Sequence, residues 1–99
     1  MNFSNLNSIA NYIVDNGKGI LAADESNPTC KKRFDTISVE STEENRRDYR
    51  QLLFQAEGMS NNIGGVILFD ETIRQNTNDG TPLVDLIKQK EALPGIKVD

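Results

Sequence analysis

Histidine and tryptophan are absent from this chain, and cysteine occurs once, as Cys30. Without histidine the segment holds no His–zinc site and no Ser–His–Asp triad of its own. A single cysteine closes no internal disulfide, which fits a reducing cytosol. The apolar share is only 36% and aromatics 6%, so a core built from 99 residues alone is expected to be thin. The formal charge of −4 comes from intermixed residues with no basic stripe, which argues against a nucleic-acid surface. No apolar run approaches the roughly 20 residues of a membrane span. The first residues, MNFSNLNSIANYIVDNG, lack a basic start and a long apolar centre, so no secretory signal is expected. Neither G-x-G-x-x-G nor a Walker sequence occurs. At this length the chain is one domain at most.

What is present is a regular alternation. Leu6, Ile9, Ala10 and Ile13 fall on one helical face, with Ser4 or Asn5 placed to cap its start and Gly17 just past its end. GILAA then reads as a buried strand. Asn27 is expected to cap a short helix opened by Pro28 and running to about Ile37. In STEENRRDYRQLLFQAEG, Ser41 with Glu44 has the capping-box spacing. Glu43 and Arg47 form a favourable pair four residues apart, Tyr49, Leu52, Leu53 and Ala56 supply the apolar face, and Gly58 is expected to end the helix. A second strand, Gly65 to Phe69, leads to Asp70 and Glu71. NTNDGTP is turn chemistry. Thr81 and Pro82 can then open a helix to about Lys90 with Leu83, Leu86 and Ile87 inward, and LPGIKV reads as a third strand.

Strands separated by helical crossovers imply an α/β fold with a parallel sheet. Periodicity leaves two architectures open, a doubly wound open sheet and part of a (β/α) barrel. Both collect reactive groups at the carboxyl ends of the strands, where Asp24, Asp70, Glu71 and Lys97 all fall. Asp24 reads equally as a solvated loop residue or a site carboxylate. Glu25 points the other way in an extended chain, so at most one of the pair faces the site. Asp70 and Glu71 read better as structural groups paired with arginines or capping a helix. Ser26, Thr29 and the helix start after Pro28 form a candidate anion site, followed at once by the basic run Lys31 to Arg33. Lys97, between Ile96 and Val98, calls for a carboxylate, a phosphate or a reactive role, because an unpartnered buried ammonium is costly. The six charges of EENRRDYRQ read as an exposed helix without chemistry.

Four blocks in order, GKGILAADES, STEENRRDYRQLLF, GGVILFDET and GIKVD, resemble the opening of a class I fructose-bisphosphate aldolase, over nearly the whole chain from about Gly17 to Asp99. The DESNPTCKKR stretch is similar to bacterial and plastid members more than to animal ones. The resemblance implies that residues 1–99 are the N-terminal portion, about three βα units, of a single (β/α)8 TIM-barrel domain. It also implies Schiff-base catalysis with no cofactor and no metal, and reversible cleavage of fructose 1,6-bisphosphate to dihydroxyacetone phosphate and glyceraldehyde 3-phosphate. The setting it implies is glycolysis and gluconeogenesis, in a cytoplasmic homo-oligomer, a tetramer by family. Carried over by position, Asp24 matches the catalytic aspartate at the end of the first strand, which contacts the substrate hydroxyl at the bond to be broken. Ser26 and Thr29 match the hydroxyls that hold the 6-phosphate, the second being more often serine. Lys97 matches the third-strand lysine on that phosphate, and Arg33 a substrate-binding arginine.

A complete barrel runs to about 250 residues or more. The Schiff-base lysine and the acid–base glutamate of the family lie on later strands, so these 99 residues by themselves are expected to be inactive. They are also expected to be poorly stable, with Ile20, Ala22, Val66, Leu68 or their neighbours meeting water. A non-catalytic module binding a sugar phosphate or another protein, through Ser26, Thr29, Arg33 and Lys97, is the alternative function.

Overall fold

The computed structural model describes residues 5–98. Helix α1, Leu6–Val14, is capped by Asn5, whose side chain accepts from the Ser8 N–H. Ser4, the other candidate cap, lies outside the described residues. A one-turn 3-10 segment ends at Gly17, where φ is +75°, a conformation that costs glycine least. Strand β1, Gly19–Ala23, follows, then α2, Asn27–Asp35, α3, Glu43–Phe54, and the short α4, Met59–Asn62. Strand β2 spans Ile63–Leu68, α5 spans Leu83–Gln89, and β3 spans Leu93–Ile96.

The three strands pair in parallel in the order β1-β2-β3, with Leu21 opposite Val66, Ala23 opposite Leu68, and Leu68 opposite Ile96. Side chains alternate across a strand, and the register sorts them into two faces. Ala23, Val66 and Leu68 turn to the helices and are buried with Phe54, Met59, Leu83, Leu86, Ile87 and Ala92. On the other face Ile20, Ile67, Leu93 and Gly95, with Ile9 and Ile13 of α1, line an apolar trough of about 370 Å³. The expected exposure of strand residues therefore holds for Ile20, 55% exposed, and for Ala22, but Val66 and Leu68 are covered by the helical layer.

Helix α1 crosses the start of β2. A Cβ on Gly64 would sit 1.8 Å from the Ile13 carbonyl oxygen, so the first glycine of GGVILF is required by backbone approach. The Tyr12 hydroxyl donates to the Glu91 carbonyl at 2.7 Å, tying α1 to the turn that enters β3.

Several local expectations shift. Ser26, not Asn27, stands at the N-cap of α2, which ends at Asp35. Thr42 rather than Ser41 caps α3, accepting from the Asn45 N–H at 3.0 Å, while Ser41 accepts from Arg46. Arg47 pairs with Asp48 and Glu44 instead of Glu43. Helix α3 stops at Phe54, and Gly58 starts α4 rather than ending α3. Helix α5 begins at Leu83 with Pro82 as its cap, one residue later than Thr81 and Pro82 suggest. Its inward residues Leu83, Leu86 and Ile87 are buried as expected. The largest departure is α3, whose arginines Arg46 and Arg50 are buried in a helix that reads as exposed.

Candidate active-site rim

Asp24 follows the last residue of β1, and Lys97 the last residue of β3. The Lys97 N–H continues the ladder, donating to the Leu68 carbonyl at 2.9 Å. With β2 between them, the two strands stand about 9.5 Å apart. A short carboxylate and a long flexible lysine close that gap, bringing Lys97 Nζ to 4.0 Å from Asp24 Oδ2. Both side chains stay partly open to solvent, 28% for Asp24 and 35% for Lys97. Lys97 is thus neither deeply buried nor unpartnered: its countercharge is the first-strand carboxylate.

Glu25 takes the opposite direction, as the alternation of an extended chain requires. Its carboxylate turns beneath the rim toward α2 and α3. There it pairs with Arg33, accepts from the Tyr49 hydroxyl at 3.2 Å, and has Arg50 at 3.5 Å. Arg50 also donates to the Glu25 carbonyl oxygen at 2.8 Å. Tyr49 packs edge-on to Phe34 with ring centroids 5.7 Å apart. Burial, then the neighbouring Glu25 charge, pushes its hydroxyl above the ordinary tyrosine range. Burial likewise raises the Cys30 thiol, which lies under the same carbonyl.

Ser26 and Thr29 sit one helical turn apart at the start of α2, with their hydroxyl oxygens 3.1 Å apart. Ser26 makes no side-chain cap bond, so both hydroxyls are directed at each other beside the first-turn N–H groups, where an anion is favoured. Arg33, one turn further along α2, is drawn into an ion pair with Glu25. Asp70 and Glu71 take the structural roles expected of them. Asp70 pairs with Arg74 at 2.9 Å on the surface. Glu71 accepts both prongs of Arg46 at 2.8 Å, which holds its carboxyl below the usual range and raises Arg46. Among the described residues no three His, Cys, Asp or Glu side chains gather to hold a metal ion, and no helix is long and apolar enough to cross a membrane.

Arg46, Tyr49 and Arg50 are the residues the sequence reading passed over. A signal was available: Arg46, Arg50 and Phe54 lie four apart on one helical stripe, and all three are buried. Two strand-end glutamates, Glu25 and Glu71, needed countercharges.

A family model described as fructose-bisphosphate aldolase class-I matches residues 5–99. A fructose-bisphosphate aldolase of Drosophila melanogaster is 57% identical over 95% of this chain and 26% of its own length. A chloroplastic aldolase of Chlamydomonas reinhardtii is 54% identical over 91% of this chain and 24% of its own. Animal and plastid relatives thus match about equally, so the plastid leaning of the DESNPTCKKR stretch does not extend to the chain. Among solved structures, the Plasmodium falciparum fructose-bisphosphate aldolase, crystallised with TRAP and a small-molecule inhibitor, superposes with a TM-score of 0.89 at 52% identity. It covers 93% of this chain and 26% of that one. The chain spans about a quarter of the length of the relatives it matches.

Proposed function

Because this chain belongs to the class I fructose-bisphosphate aldolase family, with a parallel β–α order that makes it part of a (β/α)8 barrel, we propose that the protein carrying it cleaves fructose 1,6-bisphosphate reversibly. The products are dihydroxyacetone phosphate and glyceraldehyde 3-phosphate. Residues 1–99 form the first part of one barrel domain, and the lysine that forms the Schiff base stands on a later strand. The observation that carries the reading is the meeting of Asp24 and Lys97 at 4.0 Å across the carboxyl end of the sheet, with the paired hydroxyls of Ser26 and Thr29 two and five residues beyond Asp24.

Each group has a distinct task. The sugar carbon that becomes the aldehyde must lose its hydroxyl proton as the carbon–carbon bond breaks. Asp24, acceptor-only when ionised, holds that hydroxyl. Lys97 supplies a positive charge beside it and reaches the 6-phosphate. Ser26 and Thr29 donate to the same phosphate at the start of α2, where the N–H groups add to the attraction. Arg33 contributes a guanidinium, whose fork suits phosphate oxygens. The protein is a cytoplasmic homo-oligomer in this reading. A relative described as cytosolic, from Arabidopsis thaliana, supports the compartment.

The test is to incubate the full-length protein with fructose 1,6-bisphosphate and to trap it with dihydroxyacetone phosphate and borohydride. Cleavage, with one reduced adduct per subunit on a lysine, supports the proposal. Absence of both refutes it.

A further inference from the structure

We propose that Glu25 is the positioning residue of the anion arm, holding Arg33, Ser26 and Asp24 in register from beneath the rim. The inference rests on the reading of Ser26, Thr29 and Arg33 as the phosphate-holding arm given above.

Glu25 lies between Asp24 and Ser26 in the chain, and its side chain is only 9% exposed. One carboxylate oxygen, Oε2, takes both Arg33 and the Tyr49 hydroxyl. The fully buried Arg50 grips the same residue by its backbone, at 2.8 Å from the carbonyl oxygen. A peptide fixed at its carbonyl and at its side chain cannot rotate, so the two residues flanking it are aimed as well. Asp24 is directed to the Lys97 side, and Ser26 to Thr29.

The arrangement is not the one that stability alone favours. Glu25 Oε1 and the Nε and Nη1 of Arg50 are buried without a hydrogen-bond partner. A buried ion pair with unspent donors is a poor source of stability compared with apolar packing. What it provides is a fixed position. Arg33 shows the use of it: its side chain is 60% exposed and would otherwise sample many rotamers. Glu25 engages Nη1 alone, leaving Arg33's other N–H donors for an anion. The ordering cost of the arginine is then met before the ligand arrives, which favours binding.

The experiment compares KM for fructose 1,6-bisphosphate with KM for fructose 1-phosphate, the same ketose without the distal phosphate, in the full-length protein. Glu25→Gln is expected to raise the bisphosphate KM about tenfold relative to the monophosphate KM, the scale of a displaced charge-assisted contact. Tyr49→Phe removes one bond to Glu25 without touching its charge, and is expected to move the same ratio in the same direction by a smaller factor. If Glu25→Gln does not fold, the Tyr49→Phe ratio decides. An unchanged ratio overturns the positioning role while leaving the aldolase reading intact, whether or not turnover on both substrates falls through a misaimed Asp24. A wild-type protein that cleaves neither substrate overturns both.

Discussion

Lys97 and Asp24 leave the ends of two strands that do not touch, and meet across the strand between them with 4.0 Å from ammonium nitrogen to carboxylate oxygen. Among the described residues neither has another ion pair. Each is the other's countercharge.

Replacing the lysine separates its two tasks. Lys97→Met keeps the length and removes the charge. The expected result is a bisphosphate KM raised about 10–100-fold, in line with loss of one hydrogen bond to a charged group, with a smaller change for a substrate lacking the 6-phosphate. Steady-state kinetics on the two substrates checks it.

The Glu71–Arg46 pair gives a pH-dependent stability. Arg46 holds the folded-state carboxyl below its ordinary value. The pair's contribution is therefore complete above about pH 4.3, the unperturbed glutamate value, and falls away as pH drops through the folded value beneath it. Glu71→Gln is expected to cost about 1–3 kcal/mol at pH 7. The gap from wild type should narrow toward the lowest pH at which the protein still folds. Urea denaturation of both proteins across that range measures it.

Gly64 tests the docking of α1. Its added Cβ would meet a backbone carbonyl at 1.8 Å, and backbone cannot rotate away as a side chain can. Gly64→Ala is expected to destabilise by about 1–3 kcal/mol, the cost of overpacking, read as a lowered Tm. Gly17→Ala also strains the chain, through its positive φ, but meets no atom within 4 Å. Its penalty should be the smaller of the two.

Where local pattern decides structure, the chain was readable. Leu6, Ile9 and Ile13 have helical spacing and form one. GILAA is unbroken and apolar and is β1 residue for residue, but of its five residues only Ala23 is buried, so the expected burial on both faces does not hold. The opposite aim of Asp24 and Glu25 follows from period-two geometry alone. Caps slipped by one residue, because Ser26 and Asn27, or Ser41 and Thr42, are equally able to cap and only the turn geometry selects between them. The burial of Arg46 and Arg50 was hidden for a different reason. Periodicity counts apolar side chains, whereas these guanidiniums are drawn inward by Glu71 and Glu25, 25 residues away in each case. That information belongs to the tertiary fold. Pattern alone marked Ser26 and Thr29 as a candidate anion site and Lys97 as a lysine in need of a partner, but left Asp24 open between a loop residue and a site carboxylate. The specific roles proposed for all four rest on the family likeness.

The central claim is that the carboxylate of Asp24 takes part in breaking the sugar's carbon–carbon bond. Asp24→Asn keeps the side chain's shape and removes its charge and its capacity to accept a proton. In the full-length protein, turnover of fructose 1,6-bisphosphate is expected to fall by about 10² or more, the scale of a lost acid–base partner, with KM changed far less. A variant that folds and turns over at close to the wild-type rate would contradict the account.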